Sequence, residues 1–154
     1  MKRLRILLVD DSRFFRESAA DLLATFENVE VIAQAASATE AFEEITRAQP
    51  DLVIMDISMP HMSGLEATAR IKTRPNAPAV MLVTLHGGNE FRAAAEAAGA
   101  DRFVPKELLF EAMNELITHH LLLAEHRADR MAPAHWNAEA DPGASGARTP
   151  IAIA

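Results

Sequence analysis

Three apolar runs in this chain end on residues that can do chemistry. "LLVDDS" (7–12) runs into Asp10 and Asp11, "PDLVIMD" (50–56) into Asp56, and "AVMLVT" (79–84) into Thr84. Lys106 follows a shorter run, "RFV" at 102–104. Three carboxylates brought together repel one another, and a hard divalent cation with oxygen ligands offsets that cost. Mg²⁺ does so with few carboxylates and keeps several waters. A lysine ammonium pairs with a carboxylate or a phosphoryl oxygen. A threonine hydroxyl donates a hydrogen bond to an added anionic oxygen. Acids, cation, ammonium and hydroxyl together suit phosphoryl transfer to a carboxylate, where catalysis is mostly positioning and charge neutralisation. Each residue alone has an ordinary reading: Asp11 as a helix cap or turn residue, Thr84 as a strand end, Lys106 as a solvated lysine. Their joint occurrence carries the chemical reading. Asp101 reads as a turn residue, and His119, His120 and His126 read as surface or partly buried positions without a metal role.

These residues must be positioned by the elements that precede them. Leu4 to Val9 is nearly continuously apolar, the mark of a strand covered on both faces. Ser12 to Phe26 changes to helical spacing, through Phe15, Ala19, Leu22, Leu23 and Phe26. Val29 to Ala33 is a second β-branched run, and "SATE" from Ser37 to Glu40 is a capping-box pattern before a second helix. After the run ending in Asp56 comes a turn-rich stretch, "ISMPHMSG", and a helix over 65–72. The fourth strand ends at Thr84 and Gly87-Gly88 breaks the chain. A helix over 91–98 follows, with Gly99 suited to its C-terminal cap. "RFV" is the fifth strand, and Leu108 to Ile117 opens a last helix reaching toward His126. Such alternation specifies a parallel sheet with helices on both faces. Ligands of open sheets of this kind bind beyond the carboxyl ends of the strands, so the acids, the hydroxyl and the lysine fall on one rim.

Composition narrows the setting. The chain has 154 residues with 15 basic and 22 acidic side chains, a formal net charge of −7. That balance disfavours contact with a phosphate backbone, so no nucleic-acid partner is expected. There is no cysteine, which removes disulfide and thiol chemistry. No apolar stretch approaches a membrane span, and the apolar part of "MKRLRILLVDD" is too short for a signal peptide. A cytoplasmic protein is expected. Residues 128–154 are rich in Ala, Pro and Gly without sustained periodicity. They read as a flexible tail after a domain spanning 1–127.

"VDDS" at 9–12, "PDLVIMDISMPHMSGLEA" at 50–67, "MLVT" at 81–84 and "AAGADRFVPK" at 97–106 resemble the receiver domain of two-component response regulators. The resemblance runs from residue 4 to about 120, and its wording is similar to receivers that usually precede a LuxR-type DNA-binding domain. It implies a flavodoxin-like, doubly wound α/β fold: a five-stranded parallel sheet in the order 2-1-3-4-5 with five helices. It implies Asp56 as phosphoacceptor, with Mg²⁺ held by Asp11, Asp56 and the Ser58 carbonyl, and Asp10 acting through water. Thr84 and Phe103 would be the switch pair and Lys106 the phosphate partner. Departures from the family pattern are Glu107 after the lysine and Pro105 before it, Leu85 after the switch hydroxyl where a small residue is usual, and Phe103 in place of the common tyrosine.

The expectation is therefore a stand-alone, phosphorylation-dependent receiver, not a turnover enzyme. Its phosphodonor would be a sensor histidine kinase or phosphotransfer protein. Its output would be contact with a protein partner, or self-association, through the face of helix four, strand five and helix five. Two alternatives compete: a phosphorylation-independent interaction module of the same fold, and an aspartate-nucleophile phosphatase. The phosphatase reading lacks a second acid after the nucleophile, since Ser58 stands there, and lacks a cap segment.

Overall fold

The computed structural model describes residues 2–85, 89–126, 134–136 and 151–153. Strands β1 (Leu4–Val9), β2 (Val29–Ala35), β3 (Leu52–Asp56), β4 (Ala79–Thr84) and β5 (Arg102–Pro105) alternate with helices. The helices are α1 (Arg13–Leu23), α2 (Ala38–Ala48), α3 (Gly64–Ile71), α4 (Arg92–Ala98) and α5 (Leu109–His126). The sheet order is β2-β1-β3-β4-β5 with every pairing parallel, the doubly wound arrangement expected from the alternation.

The central strands read as continuous apolar runs because both sides are covered. Ile6 and Leu8 of β1, Ile54 of β3 and Met81 and Val83 of β4 pack with Ala19 and Leu23 of α1 and Met113 and Leu116 of α5. The alternate residues Leu7, Val53, Met55, Val80 and Leu82 pack with Ala41 and Ile45 of α2, Ala67 and Ile71 of α3 and Ala95 of α4. Strand β2 changes sides in mid-course. Its register against β1 shifts between Ile6↔Val31 and Leu7↔Ala33, so Ile32 is an extra residue. The bulge turns Val29 and Val31 toward one layer and Ala33 and Ala35 toward the other.

Three helices start on a serine whose Oγ accepts a backbone N–H: Ser12 from Phe15, Ser37 from Glu40 and Ser63 from Glu66. The Glu40 carboxylate reaches back to the N–H of Ala36 at 2.8 Å, one residue before the position the capping-box pattern predicts. Helix α1 ends at Leu23, short of Phe26, whose ring instead stacks on Phe110 of α5. Short 3₁₀ turns, Asn89–Phe91 and Lys106–Leu108, precede α4 and α5 and take in Phe91 and Leu108, where the spacing predicts the first residue of each helix. Gly99 caps α4 with φ of 90°, which a glycine adopts without steric cost.

Asp101 stands at the bend before β5, as expected, but does more than turn the chain. It is buried, and its Oδ2 accepts from Lys72 Nζ at 2.7 Å and from the Val80 N–H at 2.6 Å. The end of α3 is thereby tied to the starts of β4 and β5. Of 128–154, the residues expected as a tail, the structure describes Ala134–Trp136 (β6) and Ile151–Ile153 (β7), which pair antiparallel. The remainder of that expectation lies outside the described residues.

Candidate functional site

The carboxyl ends of β1, β3 and β4 carry polar residues because the apolar layers stop there. Asp10 leaves β1 with its N–H still bonded to the Ala35 carbonyl, which holds it in line with the sheet. Its Oδ1 accepts the Ser12 N–H at 2.8 Å, and its carbonyl accepts from Arg16 Nη1 at 2.6 Å. Asp56 is the last residue of β3 and pairs with Val83. Asp10 and Asp56 are buried while Asp11 is exposed, yet carboxylate oxygens of all three lie within 4.8 Å of one another. Hard oxygen donors at that separation fit a small divalent cation.

Lys106 comes from the opposite side of the rim. Pro105 does not divert it: β5 is an edge strand, where a missing N–H is tolerated. The 3₁₀ turn that starts at Lys106 places its Nζ 2.7 Å from Asp10 Oδ2 and 3.6 Å from Asp56 Oδ2. Its preferred partner is thus Asp10. The Ser58 backbone N–H faces the Asp56 carboxylate and favours its ionised form. Burial raises the Asp56 carboxyl from the ordinary 3.8 to about 6. The charge of Asp10, and to a smaller degree Asp11, pushes the same way, against the opposing pull of Lys106 and the Ser58 N–H.

Thr84 is buried at the end of β4, opposite Pro105. Leu85 beside it is 68% exposed. Phe103 is buried in the layer that holds Leu82 and Ala95, with the Arg92 guanidinium 5.3 Å from its ring centroid. The ring already occupies an inward position.

Two residues of the site are not evident from residue type. Gly64 opens α3, and a Cβ there would stand 2.1 Å from the Asp56 carbonyl oxygen and 3.0 Å from Ile57 Cα. The loop that carries Ser58 can return against β3 only if this residue has no side chain; a glycine at the first helical position is its one sequence sign. Phe15 of α1 lies with its ring centroid 4.1 Å from Lys106 Nζ.

Comparison with known proteins agrees with this geometry. The family described as "Response regulator receiver domain" matches residues 6–118. A protein-glutamate methylesterase/protein-glutamine glutaminase of Alkalilimnicola ehrlichii is 38% identical over 106 residues, 68% of this chain and 27% of that protein. The chain therefore spans less than a third of that relative's length. A solved two-component response regulator of the LuxR family from Aurantimonas superposes with a TM-score of 0.70 at 30% identity, covering 83% of this chain and 100% of that one. The response regulator domain of Thermotoga maritima CheB superposes at 0.64 with 28% identity, covering 86% and 100%.

Proposed function

This chain belongs to the response regulator receiver domain family, and from that premise we propose that it is a phosphorylation switch whose acceptor is Asp56. The observation that supports this most is the meeting of Asp56 with Lys106 and two further carboxylates at the strand ends. Above about pH 6 Asp56 is ionised, the form a nucleophile requires. A carboxylate oxygen attacks the donor phosphorus. The new O–P bond forms as the donor's N–P bond breaks, and the electron pair stays on the imidazole nitrogen of a phosphohistidine. The Ser58 N–H orients the attacking carboxylate. Lys106 meets charge on the transferred oxygens, and Thr84 closes on them afterwards. Mg²⁺, held by Asp11, Asp56 and the Ser58 carbonyl with Asp10 acting through water, would neutralise the equatorial oxygens.

The phosphodonor is a sensor histidine kinase or phosphotransfer protein, and the setting is cytoplasmic. Among the described residues no helix is long and apolar enough to cross a membrane. The Thr84–Phe103 pair relays the phosphorylated state to α4, β5 and α5, and that face contacts a protein partner or a second copy, not nucleic acid. The chain itself acts as acceptor with slow self-hydrolysis and not as a turnover enzyme.

Incubation with acetyl phosphate and Mg²⁺, read by intact mass, tests the proposal. One phosphoryl adduct per chain is expected. Multiple-turnover phosphate release without an adduct would make the protein a hydrolase. No adduct and no turnover would make it a constitutive interaction module.

A further inference from the structure

Lys106 has two acidic neighbours and one that carries no formal charge. Its Nζ lies 2.7 Å from Asp10 Oδ2, 3.6 Å from Asp56 Oδ2 and 4.1 Å from the centroid of the Phe15 ring. Its side chain is only 6% exposed, so water covers little of it. An ammonium carries three donors and no acceptor. Asp10 takes one; Asp56 at 3.6 Å is an ion-pair neighbour beyond hydrogen-bond reach. The remaining side of the cation needs negative potential, and the face of an aromatic ring supplies it. An aliphatic side chain would fill the same space without that field.

The fold sets this contact through the start of α1. Ser12 caps the helix by accepting the N–H of Phe15 itself, at 3.2 Å. The same Ser12 donates its own N–H to Asp10 Oδ1. One short segment therefore fixes both the acid that pairs with Lys106 and the ring beside it. Phe14, the preceding residue, points outward and is 81% exposed, so the two phenylalanines differ in what they can do.

We propose that Phe15 is a positioning residue for phosphoryl acceptance, its ring face seating the Lys106 ammonium between Asp10 and Asp56. It acts through Lys106 and not on the reacting atoms. From this seat the ammonium reaches either carboxylate by a small movement, and the ring limits its retreat from the rim. The role rests on the reading of Asp56 as acceptor; the seat itself does not.

Two measurements test it. The first is the rate of single-adduct formation from acetyl phosphate with Mg²⁺, with thermal unfolding followed in parallel. Phe15→Leu should slow it by roughly 5- to 30-fold, the span of cation–π contacts from partly to fully desolvated. Phe15→Trp should restore most of the loss. A ring-trifluorinated phenylalanine at 15, which keeps the shape and weakens the field of the face, should be slow as well. The second measurement uses neither phosphodonor nor metal: the Lys106 Hε protons should show an upfield ring-current shift that Phe15→Leu removes. Equal or faster rates in the leucine and fluorinated proteins overturn the proposal, and so does an absent ring-current shift. A wild-type protein that forms no adduct overturns the acceptor reading and this role with it, while the ring-current signal still decides whether the seat exists.

Discussion

Replacing Asp56 by asparagine should stabilise the metal-free protein, by an amount that depends on pH in a defined way. The folded structure raises this carboxyl from 3.8 to about 6, because burial and the Asp10 charge oppose ionisation. At about 1.4 kcal/mol per unit, ionised Asp56 costs the fold on the order of 3 kcal/mol. The sign follows from linkage. An acid whose folded value is raised binds its proton more tightly in the native state, so wild-type stability increases as pH falls from 6 toward 3.8. Asparagine keeps the shape, carries no charge at any of these values, and leaves Lys106 with its nearer partner Asp10. The gap between Asp56→Asn and wild type should therefore be about 3 kcal/mol at pH 7.5, roughly half that at pH 5, and close to zero below pH 4. In a chain of this size the full gap is a melting difference of about 9 °C. Urea unfolding in the presence of a chelator, repeated across that pH range, reads it directly. A gap that does not change with pH, or an asparagine variant less stable than wild type at pH 7.5, would refute the assignment of Asp56 as a buried, repelled carboxylate.

Mg²⁺ should raise the melting temperature of wild type, since an ion bound only by the folded state stabilises it; Asp11→Ala should remove most of that response. Gly64→Ala places a Cβ against the Asp56 carbonyl and should cost about 2 kcal/mol or more in urea unfolding, with slower adduct formation because the acceptor strand must shift. Asp101→Ala strands Lys72 without its carboxylate partner and should lower stability by roughly 3 kcal/mol, while the isolated rate of acceptance from acetyl phosphate stays near wild type. Thr84→Ala should still accept the phosphoryl group but should lose the hydrogen-exchange response that wild type shows across residues 89–117 on phosphorylation.

The architecture was legible because strand and helix periods differ and the polar strand ends interrupt them. Asp10, Asp56 and Thr84 could be placed on one rim from apolar run lengths alone, since a parallel strand buried on both faces has nowhere else to end. What stayed illegible depends on partners distant in the chain. Asp101 sits where a turn residue would, and only its approach to Lys72 and Val80 makes it a buried tie. The bulge at Ile32 changes no residue type, so the run Val29 to Ala33 gives no sign that the strand switches layers. Ser58 follows Asp56 closely in the chain, but what it turns toward that carboxylate is a backbone N–H, which has no side-chain signature. Phe15 has the spacing of a core residue and does pack partly on the core; its second neighbour, Lys106, comes from the far end of the domain.

The proposed switch requires that one carboxylate among three take the phosphoryl group. Borohydride reduction after treatment with acetyl phosphate and Mg²⁺ converts an aspartyl phosphate into homoserine, and peptide sequencing by mass spectrometry locates it. Homoserine is expected at residue 56 alone, and none in Asp56→Asn. Homoserine at position 10 or 11, or an adduct of undiminished yield on the asparagine variant, would contradict it.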